Sequence, residues 1–175
     1  MSGIRRLELS RRELLIGGAL AFGAAALLPR SAFAAAGPSW LEAAKTSALV
    51  YVSPLSKDGK ESTCHGEVWF FVDGGDVVIA TGTKGWKARA IGMGRDRAHV
   101  WVGSFGPYKD SPGKLASAPG FEAHASIDKE RAVFDRLLAA YAVKYADEWG
   151  KWQPRFESGY ADGSRVVIRY SPIAG

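Results

Sequence analysis

Two turns constrain this chain more than any other feature. Asp58-Gly59 and Asp73-Gly74-Gly75-Asp76 each stand between apolar runs of strand length, and turns of this chemistry join antiparallel neighbours. The flanking runs, residues 48–53, 63–72 and 76–81, are therefore expected to form a meander. Three further strand-like runs, at 98–102, 121–127 and 165–170, bring the count to six, enough for a closed or nearly closed sheet. Between the third and fourth runs, residues 84–91 (KGWKARAI) read as one or two helical turns ended by Gly92 and Gly94. A short helix is expected at 40–47, capped by Ser39 after Pro38. The clearest helix spans 128–145, where Phe134, Leu137, Leu138, Tyr141 and Tyr145 recur at spacings of three and four, with Asp128 and Glu130 in its first turn. Residues 103–120 are rich in Gly, Pro and Ser and have no periodicity, so they read as a long surface loop and a candidate lid.

The amino terminus is of a different kind. Arg11-Arg12 directly precede an uncharged run of 15 residues from Leu14 to Leu28, rich in Ala and Gly, which is shorter than the roughly 20 residues a spanning helix needs. Pro29 and Arg30 follow, then Ala32-Phe33-Ala34 with small residues one and three places before a cut after Ala34; a cut after Ala36 is the alternative. The pattern resembles a twin-arginine signal peptide. It implies a domain boundary at 34, with residues 1–34 a removable signal and 35–175 the mature domain. It also implies passage through the twin-arginine translocase, a periplasmic or extracellular location, no stable membrane anchor, and a passenger that folds, often around a cofactor, before export. Residues 1–34 hold five basic and two acidic side chains, which leaves 18 basic against 16 acidic and a net charge of +2. That balance is too weak to support nucleic-acid binding.

Within the mature part, Gly66-Glu67-Val68-Trp69-Phe70-Phe71-Val72, then Val77-Val78-Ile79-Ala80-Thr81-Gly82-Thr83, then Trp86-Lys87-Ala88-Arg89 resemble the pyridoxamine 5'-phosphate oxidase-like split-barrel family, over roughly residues 40–171. The resemblance implies a mainly β (β + α) fold, a six-stranded antiparallel split β-barrel with flanking helices. It implies FMN as cofactor, with the related deazaflavin coenzyme as alternative. By position it nominates Thr81, Thr83 and Lys87 for the cofactor phosphate, Lys84 and Arg89 as additions, and Val68, Trp69 and Phe70 as the backbone beside the isoalloxazine ring. Hydroxyls, N–H groups at a helix start and a cation do suit a dianion, but a basic surface helix flanked by strand-favouring threonines would read the same way. Family oxidases carry an Arg early in this strand where this chain has His65 and Gly66, and their arginines for pyridoxine phosphate are not recognisable, so that substrate is not carried over. The resemblance further implies a homodimer and a flavin-dependent oxidoreductase acting on a small-molecule substrate. The alternative is a non-catalytic split barrel that binds a ligand such as haem, the less favoured cofactor, or mediates association.

Other reactive residues suggest less. His65, His99 and His124 fall on three expected strands, with Glu67 two residues from His65 and Glu122 two residues from His124, yet no ligand spacing accompanies them and no metal site is expected. The single cysteine, Cys64, cannot form an intramolecular disulfide. Of the six tryptophans, Trp149 and Trp152 lie in a Gly- and Pro-bearing segment after the long helix and are candidates to cover a flavin. No catalytic residue is nominated, because a flavin supplies its own redox chemistry.

Overall fold

The structure, a computed structural model, describes residues 39–63 and 65–173. The segment read as a signal, both expected cleavage positions, Cys64 and the side chain of Ser39, the expected cap, lie outside the described residues. The chain divides into Met1–Arg30 and Ser31–Gly175, and every element below belongs to the second unit.

In chain order the elements are α1 (Ser39–Thr46), β1 (Leu49–Pro54), β2 (Gly66–Val68), β3 (Phe71–Asp73), β4 (Asp76–Gly82), α2 (Trp86–Gly92), β5 (Arg97–Gly103), α3 (Pro112–Leu115), β6 (Gly120–Asp128), α4 (Arg131–Lys144), α5 (Ala146–Ala161) and β7 (Arg165–Pro172). The strands form one antiparallel sheet in the order β2-β1-β5-β6-β7-β4-β3. Its two edge strands, β2 and β3, are halves of one run parted only by Trp69 and Phe70. The ends of β2 and β3 can thus be no more than about 11 Å apart, so the sheet is rolled up with its seam at that point. The six expected strands become seven because the run 63–72 is broken here. The meander itself stands: β1 pairs β2, and β3 pairs β4 across Gly74 and Gly75, whose φ values of 64° and 94° a two-residue hairpin turn requires.

Alternation along the strands sorts side chains into separate cores. Val50, Val52, Val77, Ile79, Val100, Ala123, Ile168 and Tyr170 point into the barrel, together with Phe70, and α1 and α2 contribute Trp40, Ala44 and Ala88 to the same cluster. On the outer face Val78, Ala80 and Val167 meet Phe134, Leu137, Tyr141, Tyr145, Trp149 and Phe156 of the α4–α5 layer. A third cluster joins Tyr51 of β1 and Trp101 of β5 to Leu115, Phe105 and Tyr108 of the 103–120 segment.

Two boundaries differ from expectation. Asp128 ends β6, paired with Val167, and its carboxylate accepts the Glu130 N–H, so the helix begins at Arg131 rather than 128. Residues 146–161 form α5 despite Gly150 and Pro154. The apolar face of Trp149, Trp152, Phe156 and Tyr160, spaced by three and four, buries enough surface against the barrel to outweigh both breakers.

Candidate functional site at the barrel seam

The seam is a gap in a hydrogen-bond ladder. Phe71 pairs with Val78, Val72 with Val77 and Asp73 with Asp76; continued in the same register, Trp69 would face Ala80 and Val68 would face Thr81. These four residues instead line a cleft of about 320 Å³, completed by Glu148, Trp152 and Phe156 of α5 and by Arg165 at the start of β7. The volume is at the low end for ligand sites.

Side chains of α4 and of Tyr145, the residue between α4 and α5, replace the missing strand partners. The Tyr141 hydroxyl donates to the Trp69 carbonyl at 2.6 Å. The Tyr145 hydroxyl accepts the Phe70 N–H at 2.9 Å and points its proton at the Ala48 and Phe70 carbonyls, 2.9 and 3.1 Å away. Burial raises the Tyr141 and Tyr145 phenols above their ordinary pKa, so both stay neutral donors. The Trp69 indole lies flat on Tyr145, with centroids 4.2 Å apart and planes 5° apart, and meets Trp152 edge-on at 6.1 Å. The Arg165 guanidinium covers the Phe156 ring at 4.6 Å. The cleft therefore has aromatic walls, with a guanidinium, a carboxylate and a threonine among its lining groups.

The nominated residues are placed as follows. Val68, Trp69 and Thr81 line the cleft. Phe70 is fully buried and its ring packs in the barrel core rather than in the cleft. Lys87 stands beside β2, where a Cβ at Gly66 would be 3.1 Å from its ammonium, so a glycine there leaves the space that Lys87 occupies. Thr83 directs both its N–H and its hydroxyl to the Ser164 carbonyl, at 2.9 and 3.1 Å. Lys84, in the turn before α2, and Arg89, on α2, are both exposed, with Arg89 6.0 Å from the Trp86 ring centroid. No side chain caps α2 at Gly85.

Of the two tryptophans nominated to cover a flavin, Trp152 lines the cleft, whereas Trp149 is buried in the outer core. Arg165, Glu148 and Phe156 escaped sequence reading; the three-and-four spacing from Trp149 to Tyr160 is the signal that would have found α5. None of residues 103–120 lines the cleft. That segment is fastened elsewhere, by the Tyr51 hydroxyl to Phe105 N and Gly106 O, by Tyr108 N to Glu67, and by the Tyr108 ring on His65 at 4.4 Å. It packs around its own small core and is no lid over this site.

His65 and His99 converge on Glu61, at 3.8 and 3.0 Å, while His124 pairs with Asp96 at 3.0 Å. His65 precedes β2 rather than lying on a strand. Burial holds its imidazole below the ordinary pKa, Glu61 opposing and Lys87 reinforcing that shift. Among the described residues no group of three His, Cys, Asp or Glu could hold a metal ion, and no helix is long and apolar enough to cross a membrane.

No family model matches the sequence, and no curated protein matches it either. Solved structures do. A haem storage protein of Vibrio cholerae, HutZ, is 10% identical over 77% of this chain and 88% of its own, with a TM-score of 0.54. A conserved hypothetical protein of Mycobacterium tuberculosis is 19% identical over 83% and 86%, with a TM-score of 0.52. A candidate pyridoxamine 5'-phosphate oxidase of Listeria innocua is 17% identical over 75% and 89%, with a TM-score of 0.48. At these identities the likeness shows the fold alone, a mainly β split barrel with flanking helices.

Proposed function

We propose that the seam cleft holds the ring of a flavin, FMN in the first place and the deazaflavin coenzyme in the second, and that the protein is an exported oxidoreductase acting on a small organic substrate. The observation that carries this reading is the interrupted ladder. It exposes the strand at Val68 and Trp69 to an aromatic-walled cleft, and Lys87 stands against the same strand at Gly66. A planar ring system suits the walls of Trp69, Trp152 and Phe156, and a phosphate suits the Lys87 ammonium beside the uncapped start of α2. With both Thr83 donors engaged and Lys84 and Arg89 turned to solvent, Thr81 and Lys87 are the nominated residues best placed for a phosphate.

When bound, a flavin supplies hydride or electron transfer. The chain's own residues orient it: Tyr141 and Tyr145 fix the backbone at Trp69 and Phe70, Trp152 and Phe156 exclude water from the cleft, and Arg165 brings a positive charge to its edge. A second copy of the chain would close the open side. Haem is the competing occupant, since one structural neighbour is a haem storage protein. No histidine, cysteine or methionine lines the cleft among the described residues, which leaves a haem iron without its usual ligands there.

The absorption spectrum of the protein purified from its native host discriminates. A flavin band supports this reading, and a Soret band points to the haem-binding alternative. A colourless protein that neither flavin reconstitutes overturns the proposal.

A further inference from the structure

Trp69 and Phe70 are consecutive, yet they border different spaces. Behind Phe70 lies a second cavity, of about 450 Å³, formed by Leu41, Ala44, Phe71, Val72 and Lys144, with Glu42 and Lys45 at its rim. It shares no lining residue with the seam cleft. Lys144 is half-buried, with its ammonium 3.2 Å from the Phe70 ring centroid and 3.4 Å from the Phe70 carbonyl. No carboxylate lies within ion-pairing distance of it among the described residues: Glu42, the acid of the rim, grips Lys45 through both oxygens at 2.7 and 2.8 Å. The lining therefore carries a net charge of +1, with the unneutralised cation at an apolar wall.

We propose that this cavity is a second ligand site and takes a small carboxylate with an apolar tail, the carboxylate pairing with Lys144. A half-buried ammonium held, among the described residues, by two ring faces and one long carbonyl contact is poorly compensated for its lost hydration. A single negative charge matches the net charge of the lining, whereas a phosphate dianion would find only one cation not already paired. Leu41, Ala44, Phe71 and Val72 offer the tail a surface to cover.

The site has a built-in pH dependence. Burial pushes the Lys144 amine down to about 8. The other groups facing it are Glu42 and Lys45 of α1, the Phe70 carbonyl, and the Tyr145 ring 5.6 Å away, whose phenol is kept neutral by burial. The carboxylate needs the protonated amine, so affinity is full below pH 8 and declines as the pH rises through that value, while binding in turn raises the amine's pKa.

The probe is hexanoate, titrated calorimetrically into the full chain, with hexan-1-ol as the neutral comparison and circular dichroism to confirm folding of each variant. Binding is expected in the roughly millimolar range usual for so small a ligand. Hexanoate should bind at least tenfold more tightly than hexanol at pH 7, and at least tenfold more weakly at pH 9.5 than at pH 7. Lys144→Met should lose the preference for hexanoate over hexanol. Lys144→Arg should keep it at both pH values, because the guanidinium stays charged. Equal affinity for acid and alcohol, an unchanged affinity at pH 9.5, or no binding of hexanoate at all overturns the proposal, and the pH series on the unmodified chain decides the matter even if a variant fails to fold.

Discussion

A backbone that leaves its ladder must find other partners, and at Trp69 and Phe70 these are the phenols of Tyr141 in α4 and Tyr145 just after it. Tyr145→Phe removes the acceptor of the buried Phe70 N–H, and leaving such a donor unsatisfied costs about 1–3 kcal/mol; urea unfolding of the variant should show a loss of that size. Tyr170 provides the opposite case. Its hydroxyl is buried in the barrel with no hydrogen-bond partner among the described residues, so Tyr170→Phe should leave stability unchanged or raise it in the same assay. Lys87 belongs to the proposed phosphate site, where losing one charge-assisted contact costs roughly 1.5–3 kcal/mol, or about 10- to 150-fold in FMN affinity. Titration of Lys87→Ala beside the exposed Lys129→Ala, which should behave as wild type, checks this. Val68, Trp69 and Thr81, the nominated residues that line the cleft, sit close together in the sequence around one strand and hairpin. Arg165, Glu148 and Phe156 come from more than sixty residues further along, and only the rolled sheet with α5 packed on it brings them to the same cleft.

At the scale of elements, the hairpin turns and alternating runs declared the sheet, while the break between β2 and β3 did not show. Residues 66–72 read as one uninterrupted strand-like run, and nothing local marks the point where its partner changes from β1 to β4. The α5 helix was hidden by Gly150 and Pro154, whose local preference is overridden by burial of its aromatic face. A polar clamp fixes the β3–β4 hairpin to β7 and to the end of β6. Arg169 reaches Asp73, Asp76 and Asp128 at 2.7, 3.0 and 3.0 Å, and Arg136 of α4 grips Asp73 at 2.8 Å. Hydrogen bonding to Arg136, aided by Arg169 and opposed by burial, holds the Asp73 carboxyl below its ordinary pKa. A depressed pKa means stability that is present above the unfolded value of about 4 and lost as the pH falls below it. Asp73→Asn should therefore cost about 1–3 kcal/mol at pH 7, and the difference from wild type should shrink at pH 3. A difference that stays constant across that range would show that the clamp acts through packing rather than charge.

For the whole molecule, the broad fold class followed from turns and alternation because the antiparallel neighbours in the meander are also neighbours in sequence. The seam, the α4–α5 cover and the packed 103–120 segment depend on contacts between distant residues, which is why the expected lid turned out to be fastened away from the cleft. The proposed export belongs to this scale as well. Replacing Arg11 and Arg12 with lysine should abolish translocation, as read by fractionation, and sequencing of the exported wild-type protein should find a mature amino terminus near Ala35; export of the variant at wild-type levels would contradict the signal assignment. The central claim, that the interrupted ladder is a flavin site, is tested most directly by titrating FMN into the protein while following tryptophan fluorescence, since Trp69 and Trp152 wall the cleft. The account predicts saturable quenching that is weakened in Lys87→Ala and reduced in amplitude in Trp152→Phe. Quenching that never saturates, or that is identical in wild type and both variants, would contradict it.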